Sequence, residues 1–304
     1  MRLLAAHPLI DVGALGADSR AGSAVAEALP NLGWSDDRSF ATLGDAARDA
    51  ADVCFSCLPS GALTSVVEQI AAPSIVDLSG DHRSDPHWVY GLPEYARDKI
   101  AGSRRIANPG CYPTAVLLAL VPLASAGLIK GPLIVDGLSG TSGAGRTGQD
   151  DLSFSGLHGS THAYGDIPHR HVAEMQRGIE AFGGVTAAVS FTPHLVPMSR
   201  GVLVTARAVL GSQVNDGDLL EVLGAEYAHE SFVTVTDRWP DTKSVAGSNR
   251  AVVHARVDRE AGVVVASCAI DNLGKGAAGQ AIQNANLALG IDETCGLSIA
   301  GVWP

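Results

Sequence analysis

The sequence is poor in aromatic residues and in positively charged residues. The shortage of positive charge limits the classes of partner that the protein could bind. Phe, Tyr and Trp make up 5% of the 304 residues, and Asp and Glu outnumber Lys and Arg by 32 to 21. No basic run occurs, which argues against nucleic acid or an anionic membrane as a partner. Individual arginines would have to hold any anionic small molecule.

Cysteine is scarce and unevenly spaced. The number of cysteines is odd, at five, and their spacing is irregular, which does not fit a disulfide framework. We therefore expect no disulfides and a reducing, cytoplasmic compartment. Cys54 and Cys57 form a C-x-x-C, but residues three apart on a strand point to opposite faces, and no second zinc-like pair lies nearby. A core strand is therefore predicted there, and no metal site.

Long hydrophobic runs are also missing. The longest, residues 115–129, contains Pro122 and Gly127 and falls short of the ~20 residues that a membrane span needs. His7-Pro8 and Asp11 interrupt the N-terminal apolar residues too early for a signal peptide. We predict a buried helix over 115–129 and neither a targeting nor a spanning segment.

Short β-branched runs alternate with helical patterns in the first third of the chain. The strand-like segments are 9–15, 52–59 and 74–79. The helix-like segments are 42–50 and 60–72, the second with Ser60 as its N-cap. Strand–helix–strand order predicts a parallel, doubly wound α/β sheet.

After residue 131 the strand patterns lengthen and few helices separate them, which predicts a second, α+β domain. The strand-like segments are 132–139, 185–195, 201–210, 251–257 and 263–270, the last two joined as a hairpin. Residues 276–290 are helix-like again, with Gly290 as the stop.

The stretch NPGCYPTA, residues 108–115, places one thiol between two proline pairs. Pro109-Gly110 predicts a tight turn and Pro113 suits the first turn of a helix, so Cys111 is expected at a helix N-terminus. Unpaired N–H groups and the helix dipole favour a thiolate there. The alternative is a small buried side chain; we favour a nucleophile.

A proton partner is offered by residues 167–182. His171 and Glu174 are three apart, so they share a helix face, and a carboxylate beside an imidazole fixes its orientation. His169 is the second candidate.

Anion ligands are expected near a glycine-rich loop. GLSGTSGAGR, residues 137–146, could bring backbone close to a cofactor or an anion. Arg146, Arg170 and Arg200 could clamp phosphate or carboxylate, although each could equally make a structural ion pair. Near the N-terminus, Ser19-Arg20 would suit the 2′-phosphate of NADP, while Asp18 points towards NAD.

Six stretches together resemble one enzyme family along nearly the whole chain. They are ANPGCYPTA (107–115), SGTSGAGR (139–146), HRH with Glu174, SFTPHLVPMSRG (190–201), GSN (247–249) and DNLGKGAAGQAIQNANLALG (271–290). The family is N-acetyl-γ-glutamyl-phosphate reductase of arginine biosynthesis; aminoadipate-acting relatives share the first and last stretches. The resemblance implies a Rossmann-like NADP-binding α/β domain, residues 1–115 with 275–304. It also implies an α+β substrate and dimerisation domain of the semialdehyde-dehydrogenase type, residues 116–274.

The resemblance further implies a reaction and its residues. NADPH would deliver hydride, and Cys111 would form a thioester with a small acyl phosphate. His171 or His169 would be the acid/base group, with Glu174 orienting it. Cofactor-binding positions fall on Ser19, Arg20, Pro59, Ser142, Gly143 and Asn286. Substrate-binding positions fall on Asn108, Arg146, Arg170 and Arg200. A homodimer or homotetramer without metal is expected.

Two departures from the family stand out. Val172-Ala173 replace the usual Thr-Pro after HRH, but the spacing to Glu174 is kept. Family members open with a strand and a G-x-x-G-x-x-G loop for the pyrophosphate, whereas this chain begins at MRLLAAHPL, inside the helix expected after that loop. We therefore expect an NADP-binding domain that is incomplete at its N-terminus and binds NADPH poorly.

Several functions remain open at this point. The leading one is acyl-phosphate reduction, with an acetyl-glutamyl or an aminoadipyl substrate. The absent loop motivates a second, a non-catalytic or cofactor-impaired paralogue. A third is a cysteine hydrolase or acyltransferase that uses Cys111 and His171 without nicotinamide. The Ser19-Arg20 pair and the SGTSGAGR loop argue against this third function, because both suit a nicotinamide cofactor.

Overall fold

The computed structural model describes residues 1–33, 38–145 and 152–303, which divide into two compact units. The first unit comprises Met1–Asn108 and Gln280–Leu297, and the second comprises Pro109–Gly279 and Ser298–Pro304. Each unit has a sheet of its own. Within the described ranges, no helix combines the length and hydrophobicity that a membrane span requires.

The first unit is built on a parallel sheet in the order β1-β2-β4-β3. Its strands are β1 Val53–Ser56, β2 Ser74–Asp77, β3 Val89–Tyr90 and β4 Arg105–Ala107. Its helices are α1 Arg2–Ala5, α2 Val25–Ala28, α3 Leu43–Ala47 and α4 Pro93–Ile100. Val76, Ile100 and Ile106 form its core with Ala281 and Ala285 of the C-terminal helix. The strands predicted over 52–59 and 74–79 and the helix over 42–50 are confirmed in shorter form, although Cys57, predicted on the first strand, follows β1 and is exposed.

The strand predicted over residues 9–15 is wrong. These residues run irregularly, and the Ala14 N–H donates to Asp49 Oδ2 at 2.8 Å rather than to a neighbouring strand. Asp11 and Gly13 are poor strand formers, and only Ile10 and Val12 are β-branched. The alternating pattern was too short and too interrupted to specify pairing.

The single helix predicted over residues 60–72 is also wrong. Two 3₁₀ turns, Leu63–Ser65 and Val67–Gln69, take its place, and Ser60 caps neither. Gly61 has φ +83°, a left-handed conformation that cannot begin an α-helix after Ser60. Val66, between the turns, has φ −125° and breaks the helical path.

The second unit contains a mixed sheet in the order β6-β7-β5-β8-β11-β10-β9. Its strands are β5 Ile129–Ser139, β6 His162–Ala163, β7 Val189–Leu195, β8 Val202–Leu210, β9 Val233–Val235, β10 Ala251–Asp258 and β11 Val263–Ile270. Its helices are α5 Cys111–Ser125, α6 Phe154–Leu157, α7 Val172–Gly183 and α8 Asp216–Glu226. A π-helical turn, Gly274–Ala278, leads into α9, Gly279–Ala288. The predicted strands, the hairpin and the C-terminal helix are confirmed.

Helix α5 is apolar on every side and begins with Cys111. Its residues from Tyr112 to Ala124 are all buried, because α5 packs against the sheet and against α7 and α8. Pro122 removes one N–H from this helix, and the Leu118 carbonyl that would have accepted it receives the Tyr227 hydroxyl at 2.7 Å. The predicted buried helix is therefore confirmed.

Candidate active site

Cys111 is the first residue of the 15-residue helix α5, as the two prolines predict. Gly110 before it is extended, with φ −70° and ψ 154°, so the chain turns into the helix at the cysteine. The cysteine is half-buried. Gly276 of the π-helical turn lies against it, and a Cβ at position 276 would approach the Cys111 Cβ to 2.8 Å. A glycine is therefore needed beside the thiol.

The peptide that precedes Cys111 is held on both sides. Buried Glu174, in the first turn of α7, accepts the Gly110 N–H on Oε1 at 2.9 Å. The Gly110 carbonyl accepts both the N–H and the hydroxyl of Thr114, each at 2.9 Å. This arrangement fixes the direction in which α5 presents its first residue.

The two candidate histidines lie together beside the residue after the cysteine. Their ring centroids are 4.9 Å apart, and the Tyr112 ring is 6.3 Å from His169 and 6.1 Å from His171. The His171 backbone N–H donates to His169 Nδ1 at 3.2 Å, so a neutral His169 carries its proton on Nε2. Burial lowers the pKa of His169, and the Arg170 charge lowers it further.

Two tyrosines that sequence reasoning missed complete this cluster. The Tyr112 and Tyr164 hydroxyl oxygens are 3.3 Å apart. Burial is the main reason that the pKa of each phenol is raised, and the charge of Cys111 raises both further. Tyr112 looked like one more apolar position of α5; its place directly after the cysteine was the available signal.

The glycine-rich loop packs on the loop that carries Arg200. Gly140 N–H donates to the Gly201 carbonyl at 3.0 Å, and Ser142 N–H, on the same loop, donates to the Ser199 carbonyl at 3.2 Å. Arg200 Nε is 3.1 Å from Oδ2 of fully buried Asp271, while the Arg200 side chain stays 30% exposed. Gly143 is exposed, as is Arg170 next to His169. Arg146 lies outside the described residues.

The remaining predicted residues belong to the first unit. Ser19 and Arg20 are exposed on a 3₁₀ turn, Asp18–Arg20. Asp18 is engaged elsewhere, because its Oδ1 accepts the Leu43 N–H at 2.7 Å. Pro59 is exposed just beyond the carboxyl end of β1.

A buried asparagine group lies around α9. Asn108 Oδ1 accepts Asn284 Nδ2 at 3.0 Å, and Asn284 Nδ2 also donates to the Gly91 carbonyl at 2.9 Å. Asn286 is fully buried and donates to the Cys295 carbonyl at 2.9 Å. Within the described part of the chain, Oδ1 of Asn284 and Oδ1 of Asn286 have no hydrogen-bond partner. Asn284, two positions before the predicted Asn286, was missed.

A second constellation in this unit was also missed. Fully buried Asp77, at the end of β2, binds His82 Nδ1 at 2.7 Å and the Ser79 hydroxyl at 2.7 Å, and His82 stacks on Trp88. Neither this cluster nor any other part of residues 1–33, 38–145 and 152–303 contains a group of three or more His, Cys, Asp or Glu side chains suited to a metal ion.

Comparison with known proteins assigns the chain to a family. A family model described as Semialdehyde dehydrogenase, dimerisation domain matches residues 111–272, and another, Semialdehyde dehydrogenase, NAD binding domain, matches residues 1–103. N-acetyl-gamma-glutamyl-phosphate reductase of Frankia casuarinae is 43% identical, over 100% of this chain and 95% of that protein. The same-named protein of Paenarthrobacter aurescens is 41% identical, over the same shares. The chain belongs to the N-acetyl-gamma-glutamyl-phosphate reductase family.

Solved structures agree with this fold. Aspartate semialdehyde dehydrogenase with NADP from Candida albicans aligns with TM-score 0.72 and 16% identity, over 95% of each chain. Aspartate semialdehyde dehydrogenase II complexed with ASA from Vibrio cholerae aligns with TM-score 0.71 and 15% identity, over 92% of this chain and 90% of that one. The predicted fold class is confirmed. As a member of the N-acetyl-gamma-glutamyl-phosphate reductase family, the chain is an oxidoreductase of the semialdehyde dehydrogenase type.

Proposed function

We propose that this chain reduces N-acetyl-γ-glutamyl phosphate to N-acetyl-glutamate semialdehyde and phosphate, with NADPH as reductant and a thioester on Cys111 as intermediate. The observation that carries the proposal is the setting of Cys111. It heads a buried helix, is preceded by a peptide that Glu174 holds, and is followed by a tyrosine that packs on both histidines. Relatives of about 40% identity over the whole chain carry this enzyme name.

The head of α5 prepares the nucleophile. The helix dipole of α5 favours a thiolate over a thiol at its first residue. The sulfur attacks the acyl carbon, the bond from that carbon to the phosphate oxygen breaks, and phosphate leaves. The same dipole would stabilise the negative charge that develops on the acyl oxygen.

The histidines move protons at the acyl oxygen and at the sulfur. His171, with His169 as the alternative, removes the Cys111 proton before attack. After reduction, it protonates the tetrahedral oxygen and takes that proton back when the carbon–sulfur bond breaks and the aldehyde forms. The lowered pKa of His169 keeps this ring neutral, and so able to accept a proton, near pH 7.

The residues present fit a nicotinamide dinucleotide, which when bound supplies the hydride. In the first unit, Arg20 is exposed and one Asp18 oxygen already accepts the Leu43 N–H, which supports NADP rather than NAD as the cofactor. The orphan Oδ1 of Asn284 could accept an amide N–H. We assign Ser19 and Pro59 to the same cofactor.

Further assignments rest on the family resemblance. Ser142 and Gly143 would border the nicotinamide, and Asn286 would contribute to cofactor binding through the C-terminal helix. The substrate anion falls to arginines. Arg200 is oriented by Asp271 and partly exposed. Arg170, Arg146 and Asn108 are the other assigned substrate ligands.

We propose that the uncovered face of the second sheet joins two copies of the chain, in a cytoplasmic enzyme. On β5, Leu133 and Val135 are buried under the helices, whereas Ile134 on the opposite face is 49% exposed. Val209 on β8 is 39% exposed on the same face. Ile134→Asp should shift the mass measured by light scattering from dimer to monomer, whereas Ile299→Asp, outside this face, should not.

The assay runs in the direction of oxidation. N-acetyl-glutamate semialdehyde, inorganic phosphate and NADP⁺ are mixed with the chain, and NADPH formation is followed; aminoadipate semialdehyde is the competing substrate. Cys111→Ser should abolish turnover without changing the circular dichroism spectrum. Cys295→Ser, another half-buried thiol, should keep it. Wild-type turnover by Cys111→Ser would overturn the proposal.

A further inference from the structure

Asn272 joins two loops of the second unit through both ends of its side-chain amide. Its Oδ1 accepts the Gly201 N–H at 2.7 Å, and its Nδ2 donates to Ser142 Oγ at 2.9 Å. A backbone N–H can only donate, so Oδ1 must face Gly201 and Nδ2 must face Ser142. The side chain is buried, with 2% exposure, so water does not compete for these two bonds.

The loops that Asn272 joins are those that carry the predicted ligands. Ser142 and Gly143 lie on the glycine-rich loop, and Arg200 precedes Gly201 on the other. Backbone hydrogen bonds already stack them: Thr141 N–H donates to the Met198 carbonyl at 3.0 Å. Asp271, the residue before Asn272, is the ion-pair partner of Arg200. Two consecutive buried residues therefore hold both loops.

The bond from Asn272 also orients the Ser142 hydroxyl. Because Ser142 Oγ accepts a hydrogen from Nδ2, its own hydrogen must point away from Asn272. Ser142 is thereby kept as a hydrogen-bond donor. Without the amide, the hydroxyl could rotate and present either a donor or an acceptor.

We propose that Asn272 is a positioning residue that keeps the Ser142 hydroxyl and the Gly143 backbone in fixed register with Arg200. The inference rests on the proposed function, in which Ser142 and Gly143 border the nicotinamide and Arg200 binds the substrate anion. The amide thus aligns the nicotinamide, which supplies the hydride, with the substrate anion that Arg200 holds.

The test compares Asn272→Ala, Ser142→Ala and the double variant in the phosphate-dependent oxidation assay. Asn272→Ala should lower kcat/KM by roughly 10- to 100-fold, with a higher KM for phosphate, because supporting residues and small misplacements have effects of this size. The double variant should be no worse than Asn272→Ala, since both changes disturb the same hydroxyl. The alkylation rate of Cys111 by iodoacetamide should not change.

A readout that needs no turnover accompanies the kinetics. Hydrogen exchange at the Gly201 amide should accelerate in Asn272→Ala, because its acceptor is gone. Asn215→Ala is the matched control: its amide also holds two backbone N–H groups, those of Gly217 and Asp218 at the start of α8. It should lower the Tm without changing kcat/KM or exchange at Gly201.

The outcomes separate this inference from the proposed function. A wild-type chain without turnover on either semialdehyde refutes the function, and the inference with it. An active wild type overturns the inference alone if Asn272→Ala keeps kcat and KM within twofold, if the single losses multiply in the double variant, or if Asn215→Ala loses as much kcat/KM.

Discussion

Glu174 accepts a hydrogen bond from the backbone N–H of Gly110, at 2.9 Å and out of contact with solvent, across 64 positions of sequence. The bond ties the first turn of α7 to the residue just before Cys111. The sequence predicts that Glu174 orients His171, and the structure shows a bond that the sequence did not predict, from Gly110. Glu174 therefore holds the peptide that precedes Cys111, while its effect on His171 stays a prediction.

Variants of Glu174 separate these two roles. Glu174→Gln keeps an oxygen for the Gly110 N–H, so we expect it to retain kcat within roughly tenfold. Glu174→Ala leaves that buried N–H unpaired, and we expect stability to fall by about 1–3 kcal/mol and kcat to fall by about 100-fold. Steady-state kinetics and urea unfolding measure both. Equal losses of kcat in Gln and Ala would show that the charge, and not the Gly110 bond, is what matters.

Gly276→Ala should damage the site through Cys111. The added Cβ would lie 2.8 Å from the Cys111 Cβ and 3.2 Å from the Asp271 carbonyl, so the cysteine or the π-helical turn must shift. We expect kcat to fall at least about tenfold in the same oxidation assay, because reacting atoms tolerate little displacement.

The control for that change is Gly224→Ala in α8, where nothing lies within 4 Å of the new Cβ. It should raise stability by up to about 1 kcal/mol, because alanine favours a helix, and leave kcat unchanged. Wild-type kcat in Gly276→Ala would show that the site absorbs the methyl group.

The pKa of His169 should lie below the ordinary histidine value of 6.5, mainly because the ring is buried and secondarily because of Arg170. Between the two pKa values, His169 is protonated in the unfolded chain but neutral in the folded chain. The free energy of unfolding should therefore fall as the pH drops from 6.5 towards the lowered pKa. Above pH 6.5, His169 should not affect the pH dependence of stability.

Arg170→Gln should raise the pKa of His169 only part of the way, because burial, the larger cause, remains. NMR titration of the imidazole C–H resonances measures the shift, with assignment by His169→Gln. A His169 pKa above the ordinary value in the wild-type chain would contradict the prediction.

Tyr227→Phe should destabilise the protein without affecting the chemistry. The change leaves the Leu118 carbonyl buried without its phenol donor, and we expect the free energy of unfolding to fall by about 1–2 kcal/mol with kcat unchanged. In a Pro122→Ala background the helix supplies an N–H to that carbonyl, so the same change should cost less. Identical costs in both backgrounds, measured by urea unfolding, would show that Tyr227 does not compensate for Pro122.

Arg20→Ala should change the choice of cofactor. Loss of a charged partner for the 2′-phosphate should raise the KM for NADP⁺ by roughly 10- to 100-fold and leave the KM for NAD⁺ nearly unchanged. Arg48→Ala, an exposed arginine of the same unit that pairs with Asp45, is the control. Equal changes for both cofactors would exclude Arg20 as the 2′-phosphate ligand.

The fold was predictable wherever local pattern and tertiary structure agree. The alternation over Val202–Leu210 matches its buried and exposed faces, and Pro113 marks the start of α5. Residues 60–72 misled because the left-handed Gly61 and the break at Val66 depend on backbone angles that an apolar pattern does not reveal.

The site was predictable only in part. Cys111, His169 and His171 stand out by residue type and by neighbours in the chain. The bond between Glu174 and Gly110 and the amide bridge of Asn272 join residues that are distant in sequence. Only the packing of α7 on α5, and the turn after β11, bring such partners together.

The anchoring of Cys111 in α5 has a consequence for how the protein should fail under heat or denaturant. Because helix α5 is buried in the second unit, we expect Cys111 to keep its position until that unit unfolds. Ser142, Gly143 and Arg200, by contrast, are partly or fully exposed, so we expect their loops to lose order at milder stress than α5. Mild heating or low denaturant should therefore weaken the binding of small anions first. The reactivity of the Cys111 thiol should persist until global unfolding.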